Sequence, residues 1–208
     1  MNLPNKLVVC RLALVPVFLI FTVIDTVETR IFALVIFIVA SLTDFYDGYF
    51  ARKYGEITNF GKLMDPLADK FLISAALICF VGMNELRVPA WMVVLVIGRE
   101  FLITGFRLLA LTRGEVISAD RLGKFKTTSQ ITAIVWILIV LCVNSYLHRY
   151  YFLEPQDLLN YSGWYYWSGN FLIWSSYWMV FIATIFTLLS GFQFYYRNRK
   201  LIAEESHS

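Results

Sequence analysis

Charge is scarce in this chain of 208 residues: Asp, Glu, Lys and Arg make up 16% of it and hydrophobic residues 59%, against roughly 25% and 45 to 50% in ordinary soluble domains. The shortage is uneven. Residues 127–147 and 170–196 contain no charged side chain, and about 20 such residues span a bilayer as helix. A soluble fold could hardly bury both. Histidine is nearly missing as well: His148 and His207 fall in a loop and in the tail, without neighbours to build a zinc site or a catalytic base, which sets aside histidine-based triads and metal centres. Cys10, Cys79 and Cys142 sit in apolar runs with no paired spacing and are expected to be buried, inert thiols. No glycine-rich phosphate loop, Pro/Gly/Ser linker, low-complexity tract or repeat is present, so a single domain over residues 1–208 is expected.

Two shorter apolar runs, 31–43 and 71–83, have 13 residues each and alone would suit buried helices of a soluble protein. Each is cut short by aspartates. If the helices continue through those aspartates, every run reaches spanning length, giving six helices at about 6–25, 30–52, 62–83, 89–112, 122–147 and 169–195. The runs lack the alternation of barrel strands, and backbone in hydrocarbon must satisfy its own hydrogen bonds. The expected fold is therefore all-α, a polytopic membrane protein with six transmembrane helices. The first of them is expected to be retained, because residues 24–30 (IDTVETR) offer no small-residue cleavage site.

Basic residues orient this arrangement. Lys6, Arg11, Arg52, Lys53, Lys62, Lys70, Arg113, Arg121, Lys124, Lys126, Arg197, Arg199 and Lys200 fall on one side, and Arg30, Arg87 and Arg149 on the other. The positive-inside rule then makes both termini cytoplasmic. The net charge of +3 understates a basic face suited to anionic headgroups. Trp164, Tyr165, Tyr166 and Trp167 are placed as an outer interfacial belt, and Tyr195 and Tyr196 as an inner one. Nucleic acid is not an expected partner, since aromatic and basic residues sort with the membrane boundary.

The segment TDFYDGYFARKYGEITNFGKLMDPLADK, residues 43–70, carries Asp44, Asp47, Asp65 and Asp69. Acidic side chains at membrane depth cost about 2.5 to 3.5 kcal/mol each on insertion scales, so four together call for a cation. Asp44 and Asp47 are three apart and share a helix face. Gly48 and Ala51 follow on the adjoining surface, where small residues allow close approach. Asp65 and Asp69 are four apart, with Pro66 expected to put Asp65 near the start of the third helix. Two helices would then offer an all-oxygen ligand set suited to Mg²⁺, Mn²⁺ or Ca²⁺. A single aspartate near a helix end is more often a solvated cap; four in this pattern are not.

The pattern Asp44, Asp47, Gly48, Ala51, Arg52, then eight residues, Gly61, Asp65 and Asp69 resembles the signature of the CDP-alcohol phosphotransferases, a family of six-helix membrane enzymes. The resemblance implies transfer from a CDP-linked lipid to an alcohol, with release of CMP. It implies that Asp44, Asp47, Asp65 and Asp69 bind metal, Mg²⁺ or Mn²⁺ and two ions per site, with Asp69 also the general base. Gly48, Ala51, Arg52 and Gly61 would border the nucleotide, with Asn5 and Arg11 closing the pocket. The opening MNLPNKLVVCR is similar to the family's, although Val8 stands where threonine is usual.

Acceptor choice must come from elsewhere. Arg99 and Arg107 lie inside the fourth helix, eight residues apart and about 80° around it. Glu100 could answer one of them as a structural pair; the functional alternative is a pocket for an acceptor phosphate, which arginine binds by charge-assisted hydrogen bonds. Lys124 and Lys126 enter the next helix from the same side, as anchors or as further phosphate contacts, with Lys126 one turn from Gln130. The stretches GREFLITGFRLL (98–109) and GKFKTT (123–128) resemble the phosphatidylglycerophosphate synthases within the family. That implies CDP-diacylglycerol and sn-glycerol 3-phosphate as substrates, a bacterial cytoplasmic membrane as the location, membrane lipid as surroundings and a homodimer. Inositol phosphate is the alternative acceptor, and a cation transporter the alternative class. A transporter's acids should lie near the midplane, usually on broken helices.

Overall fold

A computed structural model of the chain describes the backbone of residues 3–54, 59–112 and 121–205 and the side chains of residues 9–43, 70–110 and 122–199. Six α-helices account for nearly all of it: α1 (Leu3–Val23), α2 (Val27–Tyr54), α3 (Asn59–Val81), α4 (Ala90–Thr112), α5 (Arg121–Tyr151) and α6 (Trp164–Glu205). Two short 3₁₀ turns, Asn84–Leu86 and Asp157–Asn160, lie in the α3–α4 and α5–α6 connections. No strand occurs among the described residues.

Packing closes the helices into a ring. α1 lies against α2 and α3, α5 against α2 and α6, and α4 against α3 and α6, so the order around the ring is α1, α2, α5, α6, α4, α3. Its interior is filled by Phe18 of α1, Phe37 of α2, Phe80 of α3, Met92 of α4 and Ile137 and Leu141 of α5, all fully buried. Phe18 and Phe37 meet with ring centroids 5.7 Å apart, a separation at which aromatic pairs attract. Hydroxyls inside the bundle turn back on their own helices, Thr22 Oγ1 donating to Phe18 O at 2.7 Å and Thr184 Oγ1 to Val180 O at 2.8 Å. Such back-bonding satisfies these two donors in an apolar setting.

The outside is apolar too. Ile20, Phe32, Ile78, Val94, Leu102 and Phe192 are all exposed. α5 and α6 are long and apolar enough to cross a membrane, yet only 44% and 39% of their most apolar windows are buried. A soluble core helix would hide most of that surface, whereas a lipid-facing helix has no reason to.

Several boundaries differ from expectation. α6 begins at Trp164 and runs 42 residues, about 63 Å of helix, so the aromatic belt Trp164–Trp167 is its first turn, and exposed. α3 begins at Asn59, which moves Asp65 from the start of the helix to about two turns in. The helix continues through Pro66 as α1 does through Pro16, because one missing donor frees one carbonyl, a loss that neighbouring groups can offset. Cysteine burial also needs correction: Cys10 is exposed and Cys79 and Cys142 are only half-buried, since each lies on a flank of its helix and not on the face filling the ring.

Candidate active site

The acidic segment occupies the last third of α2 and the first half of α3, with a connection of four residues, 55–58, between them. Asp44, Asp47, Gly48, Ala51 and Arg52 lie on α2, and Gly61, Asp65 and Asp69 on α3. Their side chains, and that of Asn5 on α1, are outside the described residues. The helical rise nevertheless gives their heights. Asp47 and Asp65 lie about 10 Å from the connection along their helices, and Asp44 and Asp69 about 15 Å. Between α2 and α3 in the ring stands α1, on which Arg11 is buried.

One residue beyond Asp69 the side chains are described, and they lead into a polar cluster. Lys70 hydrogen-bonds through Nζ to Thr104 Oγ1 on α4, and Thr104 Oγ1 donates to the Glu100 carbonyl at 2.7 Å. Glu100 is the centre of the cluster and is 5% exposed. Its carboxylate pairs with the Lys126 ammonium from α5, accepts from Gln130 Nε2 at 3.2 Å and lies 3.6 Å from Arg99 Nη1. Gln130 Nε2 also reaches Thr187 Oγ1 of α6 at 3.1 Å. Three helices thus converge on a single buried acid.

The two arginines of α4 turn toward α6. Arg99 Nη2 donates to Ser190 Oγ at 2.7 Å, and Gly191 makes room for the aliphatic stem, since a Cβ there would stand 3.2 Å from Arg99 Cγ. Arg107 places its guanidinium 5.7 Å from the centre of the Phe194 ring, within cation–π range. The Nε atoms of Arg99 and Arg107 are both buried without a hydrogen-bond partner. A buried donor left unmet costs about 1 to 3 kcal/mol, and Arg30 Nε is in the same state. Lys124, two residues before Lys126, is exposed and lies outside the cluster, because positions two apart on a helix do not share a face.

The sequence singled out Arg99, Arg107, Lys124 and Lys126; the structure gathers all but Lys124. Glu100 as the hub, with Thr104, Ser190 and Gly191 as supports, was not foreseen. Its signal was the glutamate itself, next to Arg99 in sequence and seven residues, hence about 20° around α4, from Arg107. An open cavity of about 760 Å³ lies at the other end of the bundle, among Arg30, Glu85, Arg87 and Asn144, and holds no residue of the aspartate motif.

Comparison with known proteins agrees with this arrangement. The family model described as CDP-alcohol phosphatidyltransferase matches residues 1–189. A Bacillus subtilis (strain 168) protein named CDP-diacylglycerol--glycerol-3-phosphate 3-phosphatidyltransferase is 37% identical over 209 residues, covering 95% of this chain and 95% of its own. Proteins of the same name from Rickettsia bellii (strain RML369-C) and Escherichia coli (strain K12) are 33% and 32% identical. The first covers 96% of both chains, the second 66% of this chain and 76% of its own. With the motif complete on α2 and α3 and the match running through all but the last 19 residues, the chain belongs to the CDP-alcohol phosphatidyltransferase family.

Proposed function

We propose that this chain transfers the phosphatidyl group of CDP-diacylglycerol to sn-glycerol 3-phosphate, giving phosphatidylglycerophosphate and CMP. The reading joins the reaction named for its relatives to one observation: Lys70, which follows Asp69, bonds Thr104 one turn from Glu100. That contact sets a cationic cluster suited to an acceptor phosphate next to the helical turn that carries the candidate base.

In this reading Asp44, Asp47, Asp65 and Asp69 hold divalent metal, Mg²⁺ or Mn²⁺ and two ions per site. The donor set fits, since matched heights on two helices offer only oxygen ligands to a hard cation. The chemistry supplied by such a pair is neutralisation of pyrophosphate charge in the transition state. Asn5, Arg11, Gly48, Ala51, Arg52 and Gly61 border the CDP-lipid, the small residues allowing the nucleotide close to the backbone. Arg99, Arg107 and Lys126 hold the acceptor phosphate; Lys124, exposed and outside the cluster, serves as an anchor at the cytoplasmic surface. Asp69 takes the proton from the acceptor hydroxyl as its oxygen bonds the diacylglycerol-bearing phosphorus. The bond from that phosphorus to the CMP oxygen breaks.

The same reading makes the chain one domain of six transmembrane helices with both termini cytoplasmic, a homodimer in a bacterial plasma membrane with the site at the cytoplasmic side. Purified protein given CDP-diacylglycerol and labelled glycerol 3-phosphate should release CMP and form labelled lipid. Chelation should stop this, and Mg²⁺ or Mn²⁺ should restore it; activity that survives exhaustive chelation overturns the metal assignment. A panel containing inositol phosphate decides the acceptor, and ion flux without turnover would make the protein a transporter.

A further inference from the structure

We infer that Glu100 is a positioning residue for the acceptor phosphate: a resident anion that aims the Lys126 ammonium and still leaves the cluster net positive toward a phosphate monoester. The inference rests on the acceptor site proposed above. Among the described residues of the cluster, Lys70, Arg99, Arg107 and Lys126 bring four positive charges and Glu100 one negative. A phosphate monoester carries about −1.5 to −2 at neutral pH, and the excess left over is of the sign it needs. Were Glu100 there only to neutralise buried arginine, it would face Arg99, its neighbour in sequence. Neighbouring positions on a helix diverge by about 100°, and the carboxylate turns instead to Lys126 and Gln130, with Arg99 Nη1 more distant at 3.6 Å.

Lysine makes a poor phosphate ligand unless something orders it. Its four-carbon stem carries three rotatable donors, and ordering such a side chain costs up to about 2 kcal/mol of entropy. Glu100 supplies that order before substrate arrives: one N–H is committed to the carboxylate and two remain. The carboxylate is itself held, since Gln130 is braced by Thr187 at 3.1 Å. Arg99 is fixed separately by Ser190.

The test is steady-state kinetics of the full-length protein in detergent–lipid micelles, with Glu100→Gln, Glu100→Asp, Lys126→Met and the Glu100→Gln/Lys126→Met pair. Glu100→Gln should raise the KM for glycerol 3-phosphate at least tenfold, while the KM for CDP-diacylglycerol stays within twofold. Glu100→Asp, which keeps the charge, should recover most of the loss. In the Lys126→Met background, Glu100→Gln should add less than twofold, because the residue it positions is gone. Lys126→Met leaves Glu100 paired with Arg99, so if Glu100→Gln fails to fold, Lys126→Met and Glu100→Asp still report: a glycerol 3-phosphate KM within twofold of the wild type in Lys126→Met overturns the role. Equal rises in both KM values, or multiplicative effects in the double variant, would overturn the positioning role. Failure of the wild type to use glycerol 3-phosphate would instead overturn the proposed function.

Discussion

Near the α1–α2 connection, Arg30 is met by Glu85 at 2.7 Å, Asp25 at 3.2 Å and the Leu141 carbonyl at 2.9 Å. Around Lys126, by contrast, one carboxylate among the described residues, Glu100, answers both Lys126 and Arg99. The two clusters lie on the same helix, since Asn144, which donates to Glu85 at 3.3 Å, is 18 residues from Lys126 along α5, about 27 Å. In the first, acids outnumber bases and pull α2, α5 and the 3₁₀ turn Asn84–Leu86 together. In the second, bases outnumber acids among the described residues; Arg30 in the first and Arg99 and Arg107 in the second all keep a buried Nε without a partner, so the sign of the charge is what separates the two. Excess of one sign inside an apolar bundle is a stability cost unless a ligand supplies the other sign. One cluster is therefore read as a clamp and the other as a binding site.

Substitutions can separate those readings. The largest effect is expected at the acidic side of the site, where Asp69→Asn should lower kcat about a thousandfold while CDP-lipid binding is largely kept, as measured by titration with the nucleotide lipid. Near-normal turnover would remove Asp69 from its role as base. Next comes Arg30→Met, which leaves Asp25 and Glu85 without their cation. Breaking a buried pair costs about 3 to 5 kcal/mol, but both acids are partly exposed, so about 2 to 3 kcal/mol is expected. Thermal unfolding in detergent should show that loss with kcat/KM of the folded fraction unchanged. A drop in activity without a drop in stability would make the clamp part of the site.

Much of the architecture was legible because hydrophobic length is a strong signal. The six helices follow from apolar runs continued through Asp44, Asp47, Asp65 and Asp69, and the motif follows from fixed spacing along two of them. Helix ends were less legible. The belt Trp164–Trp167 reads as an interface anchor whether it is helix or loop, and the polar tail NRKLIAEE extends α6 through good helix formers that carry no hydrophobic periodicity. The hub was hidden for a different reason. Adjacency makes Arg99 and Glu100 look like a pair, and Arg99 Nη1 does lie 3.6 Å from the carboxylate, but the nearer partners of Glu100 are on another helix. Lys126 and Ser190 are 26 and 91 residues from their partners, and nothing local announces a contact of that range.

Two smaller effects sharpen the contrast. Arg107→Ala should raise the KM for glycerol 3-phosphate about tenfold, some 1.4 kcal/mol of binding, with little change for CDP-lipid. Equal effects on both substrates would assign Arg107 to structure, with Phe194 as its partner. The least effect is expected at Arg149, whose guanidinium bonds both Glu28 oxygens at 2.9 Å. Its Nη1 reaches both carboxylate oxygens, yet the two side chains are 52% and 58% exposed. Water screens such a pair and its long side chains lose entropy in forming it, so Arg149→Ala should cost under about 1 kcal/mol in thermal unfolding. If it cost as much as Arg30→Met, then hydrogen-bond geometry and not burial would govern this end of the bundle, and the clamp could no longer be attributed to the buried guanidinium alone.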